Sequence, residues 1–280
     1  MHSLSKLLAI SLISLASSSS IPIFANEVIV TSIDYEYQYF DQEIYSNSIN
    51  NNPKSAVTNS PKHTVEVRNE LDNKWMITVN GQPTFRVEDL PQAAIAVAKL
   101  ATIMNSPDFD PNQLQPIVVN DQYIGKYKEL SLFAISKSDV LNPSLNLTQW
   151  INNLRVAAGA EPLTLVEAQK QMHKLAATDE QIDGLASWYG PYFQGRQTAS
   201  GENFEQQDFT AAHPSLPFDT YLKVTNQHNG KSVVVRINDR GPYFGDRNLD
   251  LSHAAAIALN SDEAGVVPII ATILVESQNN

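Results

Sequence analysis

The sequence predicts a mainly β C-terminal unit, a small closed barrel with one short helix, preceded by a small α+β unit. Three observations point there. From residue 184 onward the chain reads as many short strands separated by turn residues, with a single helical stretch. Closure of such a set removes the sticky edges that short strands otherwise expose. Between residues 61 and 157, alternating period-two stretches are interleaved with two long helical ones.

In chain order, residues 1–25 read as an export signal. His2 and Lys6 give a weakly basic start, and 7–16 is an apolar run too short to span a bilayer. Small Ala25 suits the position before cleavage. Residues 26–60 have a linker composition, rich in Asn, Ser, Tyr and acids with little to bury. In the α+β unit, 61–157, "HTVEVRN" is a strand and "KWMITVNGQPTFRV" a hairpin turning at Asn80-Gly81. "DLPQAAIAVAKLATIMN" is a helix, capped by Asp89 with Pro91 in its first turn. "LQPIVVN" and "LSLFAIS" are further strands, and "NLTQWINNLRVAAG" is a closing helix. Residues 158–183 form a helical linker, with helix propensity over 162–180 and His173 as a surface side chain. The barrel unit, 184–276, holds the strands "GLASWYG", "FTAAH" and "RNLDL", and a hairpin "TYLKVTNQHNGKSVVVRIND" turning at Asn229-Gly230. Ser252 then caps the helix "HAAAIALN", and "VVPIIATILV" is the last strand.

Composition narrows the partners. The formal net charge of the 280-residue chain is −11. That argues against nucleic acid and against an anionic membrane surface, both of which call for a basic face. A neutral, sugar-like partner is easily accommodated. There is no cysteine, so disulfides, thiol catalysis, thiolate metal sites and a cysteine-borne lipid anchor are excluded. His213, His228 and His253 lack metal-ligand spacing, and neither metal nor cofactor is expected.

Five segments in order carry a family resemblance: "ASWYG" at 186–190, "GRQTASGE" at 195–202, "TAAHPSLPF" at 210–218, "VTNQHNGKSVVVRINDRGP" at 224–242 and "DLSHAAA" at 250–256. The unit resembles the rare lipoprotein A family of double-psi β-barrel proteins. The resemblance covers about a third of the chain and gives no support to 61–157. It implies a six-stranded barrel with two interlocking loops. Several members are lytic transglycosylases that cut peptidoglycan glycan strands between N-acetylmuramic acid and N-acetylglucosamine, leaving 1,6-anhydro ends. The family's two functional carboxylates fall on Glu202 and Asp239, and a third motif position on His213. Two departures are the missing lipid-bearing cysteine and an end just after the barrel, without the glycan-binding repeat many members carry. The N-terminal segment and the absence of a lipid-bearing cysteine predict an exported protein, soluble after signal cleavage, and the resemblance implies the periplasm or cell wall as its place. Any divisome or cell-envelope partner would be met through the N-terminal unit.

Breaking a glycosidic bond needs a proton for the leaving oxygen and support for an oxocarbenium-like centre. Asp239 stands just past the end of the apolar strand "VVVRI", after Asn238, where a carboxyl is held rigidly and partly desolvated, as suits a general acid. It can equally form an ion pair with Arg236 or Arg240 that pins a loop. Glu202, in a Gly-flanked loop, is a second acid/base or charge stabiliser, or an exposed loop acid. Asp250 is structural, near a helix start and within reach of Arg240 or Arg247. His213 and Arg240 are candidates for contact with substrate. Tyr192 and Tyr243, beside Pro and Gly, are candidates for stacking on sugar rings, whereas Trp188 suits barrel-end packing. Two other activities fit the same acids: an expansin-like module that grips glycan without cutting, and a glycan hydrolase.

Overall fold

A computed structural model of the chain describes residues 62–70 and 74–277. The expected signal (1–25) and linker (26–60) lie outside the described residues. The chain divides into two compact units, at Phe109/Asp110. Among the described residues no helix is long and apolar enough to cross a membrane.

In the first unit, strands β1 (Val65–Asn69), β2 (Trp75–Val79) and β3 (Gln82–Val87) form an antiparallel meander. The β2–β3 turn is the expected Asn80–Gly81 pair, with φ 52° and 76°. Helix α1 (Leu90–Met104) packs on this sheet and buries Ala93, Ala96, Leu100 and Met104. Asp89 caps it by accepting from Gln92 N at 2.8 Å.

The second unit begins with an antiparallel sheet of β4 (Leu114–Val119), β5 (Gln122–Tyr127) and β6 (Leu130–Ile135). Helices α2 (Pro143–Ala157) and α3 (Leu165–Met172) follow. The stretch 110–157, expected to join 61–109 in one unit, therefore clusters with the barrel instead. The cause is α3, which packs on both β4 and the barrel strand β10 (Ser232–Asp239). Buried Gln169 of α3 donates to Val234 O at 2.9 Å and accepts from Val234 N at 2.8 Å. It completes the strand ladder of β10 as a backbone neighbour would. Arg155 of α2 similarly ties itself to the carbonyls of Asn112, Leu114 and Glu161. α2 starts at Pro143 rather than at residue 146, because Asn142 supplies the cap and accepts from Leu145 N.

The expected helix over 162–180 stops at Met172. Lys174 takes a left-handed φ of 51°, and β7 (Leu175–Trp188) then pairs antiparallel with β12 (Val267–Glu276). The first barrel strand thus starts at Leu175 rather than Gly184, and 158–183 is not a separate helical linker. The remaining strands are β8 (Thr210–Ala212), β9 (Tyr221–Asn226) and β11 (Arg247–Leu251), with α4 (His253–Ala258) after β11. They close into a six-stranded barrel in the order β10-β8-β11-β7-β12-β9. The pairs β10/β8 and β11/β7 are parallel and the others antiparallel. Alternation places Leu222, Val224, Val233, Val235, Ile237, Leu249, Leu251, Ile269 and Ala271 in one core. The hairpin linking β9 and β10 turns through a longer loop than the two-residue turn expected. Gly230 alone is left-handed there, at φ 73°, and Asn226 accepts from His228 N.

His173 is not the partnerless surface side chain expected from the sequence. It caps the end of α3, half-buried against Tyr221, with 3.2 Å between its Nδ1 and the Tyr221 hydroxyl. Burial, and secondly the charge of Arg236, lower its pKa to about 4 from 6.5. The unfolded chain then binds a proton between pH 6.5 and 4 that the folded chain refuses, so folding stability falls as pH falls through that window. His173→Gln is expected to flatten this fall in melting temperature. An unchanged fall would contradict the neutral, buried state.

Candidate active site

Strand β10 delivers its last residue, Asp239, to the end of the barrel. The parallel neighbour β8 ends beside it, with Asp239 opposite Ala212 after a register shift. His213 follows β8 and donates its backbone N–H to Asp239 O at 3.2 Å. The long connection from β7 to β8 folds back over this junction through the segment 198–202. Gly201 there has φ 94°, a conformation that favours glycine, and the turn closes with Thr198 N donating to Glu202 O at 2.8 Å.

The strand and this loop clamp each other through their acids. From the strand, Asp239 Oδ1 accepts the loop's Ala199 N–H at 2.8 Å. From the loop, Glu202 reaches back to the strand. Arg236 grips it in bidentate fashion at 2.7 and 2.8 Å, and Asn238 Nδ2 donates to it at 3.0 Å. A backbone bond, Ser200 N to Asn238 O at 3.3 Å, lies between them. The structure therefore brings Asp239 and Glu202 to one loop–strand junction.

Their surroundings differ. The sequence left open an ion pair between Asp239 and Arg236 or Arg240. Neither guanidinium bonds the Asp239 carboxylate. Arg236 instead holds Glu202 and, at 2.8 Å, Asp219. Arg240 lays its guanidinium over the Phe218 ring at 3.8 Å, and only its backbone N–H donates to Asp239 Oδ1, at 2.8 Å. Asp239 Oδ2 accepts from the Tyr189 hydroxyl at 2.9 Å. The Arg236 hydrogen bonds, helped by Asn238 and by the charge of Lys137, lower the Glu202 pKa to about 2. At neutral pH Glu202 is a carboxylate and has no proton to donate.

His213 Nδ1 accepts from Ser215 N and Leu216 N at 3.1 and 2.9 Å, which leaves Nε2 to carry the proton of the neutral ring. Burial first, then the Arg240 charge, lowers its pKa. Tyr192 and Tyr243 are 72% and 74% exposed. One face of Tyr192 is covered by the Arg196 guanidinium at 3.7 Å, so only the other is open to a ligand. Phe244, next to Tyr243 in the chain, is 84% exposed. Asp250 pairs with Arg247 at 2.8 Å and bonds Ser187, the structural role expected of it. Trp188 packs against the barrel core and stacks on His253. Tyr189 is the site residue that sequence reasoning missed. It ends the aromatic pair of "ASWYG" and is one of four aromatic residues between 188 and 193, with no signal to single out its hydroxyl.

A depressed carboxyl pKa adds stability above the unfolded value, here 4.5, and this is lost as pH falls toward 2. Arg236→Gln is expected to move the Glu202 titration, followed by carboxyl carbon NMR, up toward 4.5. A midpoint that stays near 2 would contradict the clamp.

Residues 181–271 match a family model described as "Lytic transglycolase". A Synechocystis protein named "Probable endolytic peptidoglycan transglycosylase RlpA" is 42% identical over 197 residues, 65% of this chain and 61% of that one. A Campylobacter jejuni protein named "Endolytic peptidoglycan transglycosylase RlpA" is 47% identical over 95 residues, 34% of each chain. A solved Clavibacter michiganensis expansin aligns with TM-score 0.30 and 24% identity, over 36% of this chain and 53% of that one. This chain thus spans less than two thirds of the length of either relative. The segment that matches the lytic transglycolase model, 181–271, is the one that forms the six-stranded closed barrel with one short helix, and its relatives are similar over the same region.

Proposed function

We propose that the barrel cleaves peptidoglycan glycan strands internally by lytic transglycosylation, leaving 1,6-anhydro-N-acetylmuramic acid ends. The observation that carries this is the pair of carboxyl groups at one loop–strand junction in unlike surroundings. Glu202 is gripped by an arginine, whereas Asp239 is bonded by no cationic side chain. Two acids set apart by environment are the means by which one site divides acid and stabilising roles. The names of the relatives and of the matching family support the same activity.

In this reaction protonated Asp239 gives its proton to the glycosidic oxygen as the bond from the anomeric carbon breaks. Positive charge grows on that carbon, and the fixed carboxylate of Glu202 stabilises it. The 6-hydroxyl of the same muramoyl residue attacks the anomeric carbon, closes the anhydro ring and passes its proton to the Asp239 carboxylate. No water is consumed and Asp239 ends protonated, as it began. Tyr192 and Tyr243 stack on flanking sugar rings, and His213 Nε2–H and Arg240 donate to sugar hydroxyls. The substrate requires export to the cell wall, in keeping with the basic, apolar and small-residue pattern of residues 1–25. A cell-envelope or divisome partner is assigned to the N-terminal unit.

The test is a digest of purified glycan strands with the ends read by mass spectrometry. Anhydro ends are expected. Reducing ends would mean hydrolysis, and intact strands a binding module. Asp239→Asn is expected to slow cleavage by about a hundredfold or more. Cleavage by this variant at the wild-type rate would remove Asp239 from the acid role.

A further inference from the structure

The unused feature of the site is the Tyr189 hydroxyl. A carboxylate offers about four acceptor positions, two on each oxygen. On Asp239, Oδ1 takes two N–H groups, from Ala199 and Arg240, both at 2.8 Å. Its acceptor capacity is filled. Oδ2 takes one donor, the Tyr189 hydroxyl at 2.9 Å. One position remains, on Oδ2.

Tyr189 is built to hold that geometry. Its backbone N–H donates to Leu251 O at 2.9 Å, just past the end of β7. Its ring lies against buried Phe204, with centroids 4.8 Å apart, and edge-on to Phe193 at 5.4 Å. Burial, and next the Asp239 charge, raise its pKa, so the phenol stays protonated and remains a donor. Facing the pair are Tyr243 beyond the Gly241–Pro242 turn and Asp250, with its partner Arg247, on β11. His213 and Arg240 lie on the backbone side of Asp239, and Glu202 with Arg236 lies across the loop.

We propose that Tyr189 is a positioning residue for the proton step: by filling one acceptor position on Asp239 Oδ2, it leaves one position, on that same oxygen, to give and receive the proton. This rests on the lytic reading above. The proton that goes to the glycosidic oxygen leaves from Oδ2, and the proton of the 6-hydroxyl returns to Oδ2. Tyr189 itself exchanges no proton with substrate.

Tyr189→Phe tests this while keeping the packed ring. Losing a donor to the charged form makes Asp239 easier to protonate. The carboxyl carbon titration of Asp239 by NMR is expected to move to higher pH, and the alkaline limb of the rate profile, where the acid loses its proton, with it. On glycan strands kcat is expected to fall roughly tenfold with KM nearly unchanged. An unmoved midpoint, or an unchanged kcat, would overturn the assignment. In the unmutated protein, the Tyr189 Cζ shift is expected to follow the Asp239 titration with a shared midpoint. Independent midpoints would overturn it without any variant. If wild-type protein yields no anhydro ends, the lytic reading fails, and the two NMR titrations still decide the role of Tyr189.

Discussion

The site depends on a reciprocal clamp between β10 and the segment 198–202. A strand acid, Asp239, takes a loop N–H, and a loop acid, Glu202, is taken by two strand side chains, Arg236 and Asn238. Each acid is therefore both a proposed working group and a fastener. Glu202 is 43% exposed, so its ion pair is partly screened. Its larger effect is geometric: a bidentate fork fixes the plane of the carboxylate as well as its position.

The clamp is only as rigid as β10, and the fold supports that strand on every side. β9 and β8 flank it, its inward side chains fill the barrel core, and Val234 lies in a small apolar cluster against which Val166 of α3 packs. This explains why Val233, Val234 and Val235 of β10 are apolar in succession rather than in alternation. The Gln169 amide extends the ladder at Val234, beyond the reach of the short β8, whose pairing starts at Arg236. The sheet β4–β6 and its helices thus do more than precede the barrel. They brace the strand that carries Arg236, Asn238 and Asp239.

Much of this was legible in the sequence. Turn pairs and period-two runs located most barrel strands, because a closed barrel has one interior and enforces alternation. Strand β5 was not legible. Gly125 interrupts "QYIGKY", and the structure shows why it is there: a Cβ at that position would lie 2.2 Å from the Phe133 ring. The unit boundary was missed because docking of α3 on β10 is a tertiary choice that helix propensity does not encode. At the site, motif spacing located both acids but could not say which one Arg236 serves. Tyr189 was hidden for the same reason, since its hydroxyl meets a carboxylate 50 residues away in sequence.

The most direct measurement is a crystal structure of the Asp239→Asn protein with a glycan fragment of the wall polymer bound. The fragment should lie along the rings of Tyr192 and Tyr243. Its scissile oxygen should come within hydrogen-bond reach of residue 239, about 2.6–3.2 Å, with the anomeric carbon turned toward Glu202. A saccharide seated elsewhere on the barrel, with the 198–202 junction empty, would contradict a catalytic role for the two acids.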